Sequence, residues 1–218
     1  MNAGFSNLDY LKKQLLASSL KTDKRFDDRI LAIGLGVAQA FDGYCNRKFM
    51  RVNGEQEIIT ADRVQFSLKR YPLESLSVVE LKITEADGWE VLDQAPWAKV
   101  QTIDLPTGLV NFPEDDDVGP YYAQVRFTYT GGYWWETQEP DDTDYPSNIP
   151  IGANALPSDL LKAWLTQCRK EWEAIDKTGQ DILKTGSGTK NPSDALAVLE
   201  LVPVVKETLN NYRRMQLI

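Results

Sequence analysis

Histidine is absent from the 218-residue chain. Without an imidazole, the chain cannot carry a Ser-His-Asp or Cys-His catalytic arrangement, and no metal site can use a histidine ligand. Cysteine is scarce, since Cys45 and Cys168 are the only two thiols. Two thiols are too few for a four-thiolate zinc site, and both lie in helix-like patterns. We therefore expect two buried, reduced cysteines.

Long hydrophobic runs are also missing. No apolar stretch approaches the roughly 18 residues that a membrane-spanning helix requires. The first residues, MNAGFSNLDYLKK, lack the basic-then-apolar order of a signal peptide. Hydrophobic residues nevertheless make up 42% of the chain, which is enough for a core. These features predict a folded, soluble protein that is intracellular when made and has no membrane partner.

Acidic residues outnumber basic ones, and the excess lies in one part of the chain. Residues 51–155 contain 7 basic and 19 acidic side chains. Residues 1–50 contain 8 and 5, and residues 156–218 contain 9 and 8, so both flanks are slightly basic. A break in composition this sharp indicates that the acidic middle is a structural unit separate from the flanks.

Helical periodicity marks the beginning of the chain. A first helix has its apolar residues at Leu8, Leu11 and Leu15. A second helix of about five turns presents an apolar face at steps of three and four residues. The members of that face are Phe26, Ile30, Ile33, Val37, Phe41 and Tyr44. Gly34 and Gly36 lie inside this helix, and each costs up to about 1 kcal/mol relative to alanine, so we expect another backbone to approach closely there.

Helical spacing returns after a long loop at residues 131–155. Pro157-Ser158-Asp159 is a typical helix start, and the helix is expected to run to residue 177. Its apolar face consists of Leu161, Trp164, Leu165, Cys168, Trp172 and Ile175. Residues 178–194 contain three glycines and a proline, which is typical of a flexible joint. A shorter apolar pattern, broken by Pro203, and a final helical piece follow.

Between these helices the hydrophobic period changes to two. Val125, Phe127 and Tyr129 alternate with polar residues, as in a half-buried strand. Two hairpins are expected, with turns at Asp87-Gly88 and Thr107-Gly108. The strands expected from this pattern cover residues 47–52, 55–60, 64–68, 79–83, 89–92, 100–105, 109–112 and 124–129.

Together these patterns predict an α+β protein. Residues 1–46 and 156–177 are expected to form a small helical bundle, because no single helix can bury its apolar face alone. Residues 47–155 are expected to form an inserted, acidic, antiparallel β domain that includes the long loop. Residues 178–218 are expected to form a flexible joint and a C-terminal docking arm.

Two carboxylate clusters are candidates for cation binding. Residues 114–117 and 141–144 lack the spaced Asp-x-Asp-x-Asp-Gly pattern of a calcium loop, so we interpret them as solvated loops and predict no metal or cofactor. A glycosidase needs only two carboxylates, and tryptophans of the same region could stack on sugars. They are Trp89, Trp97, Trp134 and Trp135. A carbohydrate-binding or hydrolytic domain is therefore an alternative, but no catalytic residue is predicted.

Two further segments resemble binding motifs. Residues 184–190, Lys-Thr-Gly-Ser-Gly-Thr-Lys, lack the spacing of a phosphate loop, and a linker is favoured. Tyr133, Trp134 and Trp135 either pack in the core or form a subunit or tail-side interface. The net charge of −8 argues against a surface that grips nucleic acid, because such a surface gains its affinity by neutralising phosphates.

Several short sequences occur in an order that resembles a known family. They are AFDGYCNRKF at residues 40–49, RYPLESL at 70–76, TYTGGY at 128–133, LPSDL at 156–160 and LNNYRR at 209–214. In this order the chain resembles, over nearly its whole length, the head–tail connector (adaptor or head-completion) proteins of tailed bacteriophages. The insertion at residues 51–155 resembles members of that family that carry a β insertion.

The resemblance implies a structural virion protein and not an enzyme. Such proteins form a ring at the phage neck, commonly a dodecamer, which extends the DNA channel below the portal. The implied partners are the portal protein, a stopper or tail-completion protein and identical subunits. Genomic DNA would pass through the channel without sequence-specific binding, and assembly would take place in the host cytoplasm.

The C-terminal arm is the part of the chain expected to reach the portal. A flexible joint followed by apolar residues fits an arm that becomes ordered when it docks on a partner. The residues expected to bind the portal are Leu196, Leu199, Leu201, Val202, Val205, Leu209, Tyr212, Arg213 and Arg214. An alternative within the same setting is another neck component, such as a stopper or tail-completion protein.

Overall fold

A computed structural model describes residues 8–16, 20, 21, 23–60, 64–82, 84, 86–92, 100, 102–112, 124–134, 151–184 and 199–214. The expected α+β class is confirmed. The helices are α1 (Leu8–Leu15), α2 (Asp27–Cys45), α3 (Ser158–Lys184) and α4 (Pro203–Asn210), with a short 3-10 turn at Lys24–Phe26. The strands are β1 (Val52–Thr60), β2 (Gln65–Ser67), β3 (Leu73–Lys82), β4 (Glu90–Val91), β5 (Thr102–Asp104), β6 (Leu109–Asn111), β7 (Gln124–Gly131), β8 (Tyr133–Trp134) and β9 (Asn154–Ala155).

These elements belong to two compact units. The described residues of Met1–Asn46 and Leu156–Arg214 form a helical unit. Those of Arg47–Trp134 and Ile149–Ala155 form a sheet unit. Among the described residues, no helix is both long and apolar enough to cross a bilayer.

Helix α2 contacts each of the other three helices. The core of its expected apolar face is confirmed, with four buried residues: Ile30, Ile33, Val37 and Phe41. Phe26 and Tyr44, at the two ends of that face, are half-buried. The helix ends at Asn46, whose left-handed backbone (φ 51°) turns its N–H back to the carbonyl of Gly43.

Helix α3 buries a stripe displaced from the expected one. The buried residues are Leu160, Ala163, Trp164, Gln167 and Cys168. Leu161, Leu165 and Trp172 are half-buried, and the Ile175 side chain lies outside the described part of the chain. The indole N–H of Trp164 donates to the carbonyl oxygen of Gly34 at 3.1 Å. A side chain makes this contact, so it does not confirm the expected approach of another backbone to the glycines of α2.

Helix α3 also continues to Lys184, past the point where the flexible joint was expected to begin. Gly179 is the only glycine in residues 178–184, and no proline occurs there. One glycine costs about 1 kcal/mol in a helix interior, which is too little to end a helix whose other residues favour it. Residues 185–198, which hold the remainder of the expected joint, lie outside the described residues.

The C-terminal segment, residues 199–214, packs on the helical unit, although we expected an arm separate from it. Pro203 opens α4 at its first turn, where the missing N–H of proline costs no helical hydrogen bond, so it does not break the pattern. Leu201, Val205 and Leu209 are buried, and α4 contacts both α2 and α3. Leu201, Val205 and Leu209, which were expected to bind a partner protein, are therefore buried against the chain's own helices.

The sheet unit is built around four antiparallel strands in the order β1-β7-β3-β4. The expected alternation in β3 and β7 is confirmed, because Val79, Leu81, Val125, Phe127 and Tyr129 are buried. A smaller sheet, β2-β6-β5, covers the same core. Three phenylalanine rings meet in this core: Phe66 of β2, Phe127 of β7 and Phe112, which directly follows β6. Their centroids lie 5.3 to 6.4 Å apart.

Both expected hairpins are confirmed. In the first, Glu80 of β3 faces Val91 of β4. In the second, Ile103 of β5 faces Val110 of β6. The strand expected at residues 47–52 is wrong, because that stretch makes only isolated bridges and β1 begins at Val52.

The expected long loop at residues 131–155 is described only at its two ends. These ends lie side by side as the parallel strands β8 and β9. A Cβ atom on Gly132 (φ +94°) would lie 2.7 Å from the carbonyl oxygen of Met50. Only glycine fits there, so the TYTGGY sequence marks a place where backbone packs on backbone.

Candidate functional site

The C-terminal segment is held on α3 by one buried side chain. Gln167 has 0% of its surface exposed. Its Nε2 donates to the carbonyl oxygen of Glu200 at 3.0 Å, and its Oε1 accepts from the amide of Val202 at 2.9 Å. The ammonium of Lys170 donates to the same Glu200 oxygen at 2.7 Å. Sequence reasoning missed Gln167, although a polar residue inside an apolar helical stripe was a usable signal.

The far end of the segment is also tied to the helical unit. The hydroxyl of Tyr212 donates to the carboxylate of Asp159 at 2.7 Å. The amide of Arg214 donates to the carbonyl oxygen of Cys45 at 2.9 Å. The segment is therefore anchored at both ends, with the buried side chains of α4 between the two anchors.

This placement bears on the nine residues expected to bind the portal. Three are buried within the helical unit: Leu201, Val205 and Leu209. Four are half-buried, namely Leu199, Val202, Tyr212 and Arg214, and Arg213 is exposed. Leu196 lies outside the described residues. Val204, which sequence reasoning did not single out, is 58% exposed on α4. Portal binding by this segment stays a prediction, and in this conformation only its outer side is accessible.

Helix α2 has a second face that is exposed and uncharged. No charged residue occurs from Ile30 to Phe41. Leu35 is 39% exposed on this face. The neighbouring positions on the same side are Leu31, Ala32, Gly36, Gln39 and Ala40, which are exposed or half-buried. A helix that is apolar on its outer side as well as its inner side is typical of a contact surface.

Tyr133 and Trp134 lie beside arginines of the sheet unit. The guanidinium carbon of Arg47 is 3.5 Å from the ring centroid of Tyr71 and 5.6 Å from that of Tyr133. Arg51 lies 5.7 Å from the Trp134 ring. Tyr133 and Trp134 are half-buried, which fits the packing interpretation better than a protruding anchor. Trp135 lies outside the described residues.

The outer face of the four-stranded sheet carries one row of residues that crosses all four strands. Ile58, Arg126, Glu80 and Val91 stand opposite one another in register. Arg126 and Glu80 form a two-pronged ion pair in the middle of the row, with Nε to Oε2 at 2.5 Å. The Trp89 ring lies 4.4 Å from the Arg126 guanidinium carbon. At the two ends of the row, Ile58 is 53% and Val91 58% exposed.

The inner face of the same sheet carries a polar cluster in which Tyr129 and Arg70 are buried and two glutamates are half-buried. The hydroxyl of Tyr129 donates to the carboxylate of Glu57 at 2.8 Å and accepts from the amide of Arg70 at 3.3 Å. Burial raises the pKa of Tyr129, and the nearby charge of Glu57 raises it further. Arg70 also pairs with Glu55 at 3.3 Å. These contacts stabilise the fold and leave the two glutamates engaged with partners.

The described residues give little support to the catalytic and metal-binding sites considered from the sequence. Cys45 and Cys168 are buried, as expected, and burial raises the pKa of the Cys168 thiol. No group of three potential metal ligands comes together in the part of the chain that the structure describes. The acidic clusters at residues 114–117 and 141–144 lie outside that part, as does most of the phosphate-loop-like segment at 184–190. Glu74 and Glu80 are each paired with an arginine that lies beside a tryptophan ring, Arg51 by Trp134 and Arg126 by Trp89.

Neither of two sequence comparisons gives a match. No family model matches the chain. No curated protein sequence matches it either.

Comparison with solved structures gives matches along the whole chain. A chain in the virion of a native gene transfer agent (GTA) particle has a TM-score of 0.61 and 14% identity, covering 99% of this chain and 93% of that one. A chain in the neck of an empty GTA particle, computed with C6 symmetry, has a TM-score of 0.60, 13% identity and the same coverage. A chain in the neck of a native GTA particle, computed with C12 symmetry, has a TM-score of 0.54 and 12% identity, covering 99% of this chain and 92% of that one. At these identities the likeness shows a shared fold.

Proposed function

We propose that this chain is a structural, non-catalytic protein in the neck of a phage-like particle, where copies of it form a ring. The observation that carries the proposal is the match of 99% of the chain to chains in GTA necks. A match that includes the helical unit, the sheet unit and the C-terminal segment is more informative than a match to one common motif. The order of short sequences that resembles phage connectors points to the same role.

A ring of identical subunits requires that one patch of each copy meets a different patch on its neighbour. The exposed, uncharged face of α2 around Leu35 is one such patch in our proposal. The matched necks were computed with C6 and C12 symmetry, which supports a cyclic arrangement for proteins of this fold. We propose that the ring of this chain has twelve subunits.

We further propose that the ring is an adaptor between the portal and a stopper or tail-completion protein. The outer side of the C-terminal segment, with Val204 and Arg213, is the part that contacts the portal. Leu201, Val205 and Leu209 hold the segment on its own subunit, so their role is to position the contact surface. The acidic middle of the chain, with 19 acidic against 7 basic residues, lets DNA pass without being bound.

The test is assembly in the particle whose genome encodes this chain. Particles that lack the protein are expected to contain heads with no attached tails, and the protein supplied in trans is expected to restore attachment. Electron microscopy of complete particles is expected to show this chain as a ring below the portal. Complete necks that contain none of this polypeptide would overturn the proposal. Glycan hydrolysis that is lost when a single carboxylate is changed would favour the enzymatic alternative.

A further inference from the structure

We propose that the four-stranded sheet continues from one copy to the next, with the edge strand β1 of one subunit pairing with the edge strand β4 of its neighbour. The partner is a second copy of this chain, and the inference rests on the ring proposed above. It adds a specific contact to that ring, made by backbone hydrogen bonds in the sheet unit. The contact is heterologous, since β1 and β4 are different surfaces.

The two strands are the two edges of one sheet. In the order β1-β7-β3-β4, no strand among the described residues lies beyond β1 or beyond β4. Each neighbouring pair is antiparallel, so three reversals separate β1 from β4 and the two edges run in opposite directions. When β4 of one copy lies beside β1 of the next, the pairing is again antiparallel, and the alternation of the sheet continues without interruption.

The backbone groups of Val91 point outward from β4. The amide of Leu92 donates to the carbonyl oxygen of Val79 at 2.9 Å, so these two residues form a hydrogen-bonded pair. Hydrogen-bonded and non-hydrogen-bonded pairs alternate along an antiparallel ladder. The next pair, Glu80 and Val91, is therefore not hydrogen-bonded, and the N–H and C=O of Val91 point away from β3.

The same alternation leads across the sheet to Ile58. Because Glu80 does not bond to β4 through its backbone, its N–H and C=O point toward Arg126 of β7. The backbone N–H and C=O of the adjacent residue, Phe127, then point toward Glu57 of β1. The next residue of β1, Ile58, is left with its N–H and C=O pointing outward. Val91 and Ile58 are thus both set to form a hydrogen-bonded pair with a new strand.

The side chains of these two residues match as well. Ile58 and Val91 end the same cross-strand row, so they lie on the same face of the sheet. They are the most exposed large hydrophobic side chains of the four strands, at 53% and 58%. Pairing β4 with β1 of the next copy places one beside the other, which removes apolar surface of both from water.

Along residues 55–60, the β1 edge lacks the side chains and the bulge that commonly guard a sheet edge, whereas the β4 edge is only two residues long, Glu90–Val91. Sheet edges in monomeric proteins are commonly guarded by lysine, proline or a bulge. Residues 55–60 of β1 read Glu-Gln-Glu-Ile-Ile-Thr and contain none of these, and the only irregularity of β1 lies between Val52 and Glu55. Glu55 and Glu57 face the other side of the sheet, where Arg70 and Tyr129 bind them. This edge is therefore built to be paired.

The test is disulfide cross-linking of the full chain. Ile58→Cys and Val91→Cys are combined in one variant and also prepared singly. A hydrogen-bonded antiparallel pair has Cα atoms about 5.5 Å apart, within the range of a disulfide. The native cysteines are buried, so they react slowly with a mild oxidant. The control is Ile58→Cys combined with Thr102→Cys, an exposed residue of the smaller sheet.

Before oxidation, the wild-type chain is tested for rings by electron microscopy, alone and on portal-bearing heads. In assembled protein, the double variant is expected to give a ladder of dimers, trimers and larger species, at least tenfold above the control. A mixture of the two single variants is expected to give dimers that contain one of each. Ile58→Lys, which adds an edge guard, is expected to reduce the ring fraction at least tenfold with the thermal midpoint unchanged.

Each outcome decides the question. Rings without cross-links above the control would overturn the sheet contact and leave the proposed function intact. Dimers of the Ile58→Cys variant alone would show β1 paired with β1, which also overturns it. If the wild-type chain forms no ring on portal-bearing heads, the proposed function fails and this inference fails with it.

Discussion

The side-chain oxygen of Gln167, a residue with no exposed surface, accepts a hydrogen bond from the amide of Val202 at 2.9 Å. The nitrogen of the same side chain donates to the carbonyl of Glu200, so one glutamine replaces the partner strand that this extended stretch lacks. Buried backbone groups need partners, and here helix α3 supplies them. The C-terminal segment therefore has a fixed register on the helical unit.

Replacing Gln167 with leucine is expected to destabilise the protein by about 1–3 kcal/mol. The apolar side chain fills a similar volume but leaves the Val202 amide without its buried acceptor, and such a group costs its full desolvation. Urea denaturation gives the change in the free energy of unfolding. Hydrogen exchange is expected to show faster exchange at residues 200–202 than elsewhere in the helical unit.

The matched control is Lys162→Ala on the exposed side of α3. It is expected to change the free energy of unfolding by less than about 0.5 kcal/mol, as exposed substitutions usually do. Equal protection of residues 200–202 in wild-type and Gln167→Leu protein would contradict the role given to this side chain.

Hydrophobic periodicity determined how much of this arrangement could be predicted from the sequence. The alternation of Val125, Phe127 and Tyr129 identified β7, because a period of two has one structural meaning. The α3 stripe was misplaced because Leu161 and Leu165 were preferred to Gln167 as core residues. In a sequence prediction, a glutamine is placed on the solvent side of a helix unless its hydrogen-bond partners are known. The partners of Gln167 lie 33 to 35 residues away in the chain.

The sequence could not predict which strands lie at the edges of the sheet, for a related reason. Short strands at residues 47–92 were expected, but their order was not, since hydrophobic patterning gives each strand a buried face and no neighbour. The pairings of β7 with β1 and β3, together with that of β3 with β4, show that Ile58 and Val91 end one row. The same limit applies to α4, where Pro203 is compatible with a helix start or a helix break.

Stability is expected to fall in alkaline solution. Burial raises the pKa of Cys168 above its ordinary value of 9.0 and that of Tyr129 above 10.0. The folded protein keeps these protons while the unfolded chain releases them, so the stabilisation is complete below pH 9 and is lost as the pH rises. Each group contributes a loss of up to about 1.4 kcal/mol per pH unit above its unfolded pKa. Urea denaturation at pH 8 and pH 10.5 measures the difference.

Removing either group is expected to flatten this dependence. Cys168→Ala and Tyr129→Phe each lower the free energy of unfolding at pH 8 but reduce its further decrease at pH 10.5. Leu76→Val, in the core of the sheet unit, serves as the control, because it lowers stability without removing a titrating group. A decrease between the two pH values that is the same in all four proteins would show that these groups do not cause it.

Replacing Trp164 with phenylalanine is expected to destabilise the protein by about 2–3 kcal/mol. The substitution removes the hydrogen bond to the Gly34 carbonyl and leaves a cavity where the larger ring packed between α2 and α3. Trp172→Phe on the same helix is the control. That tryptophan is half-buried and packs edge-to-face on Phe26 at 5.6 Å, so the expected loss is smaller. Equal losses in both variants would show that the Trp164 contact does not set the α2–α3 packing.

Replacing Leu35 with glutamate tests the contact surface of α2. The side chain is 39% exposed, so a charge there is expected to change the free energy of unfolding by less than about 1 kcal/mol. In the ring, the same charge would be buried without a partner, and an unpaired buried charge prevents association. Thr166→Glu adds an equal charge at an exposed position of α3 and is expected to leave the ring intact. Electron microscopy of the two variants on portal-bearing heads measures the difference, and rings of Leu35→Glu at wild-type abundance would remove this face of α2 from the contact.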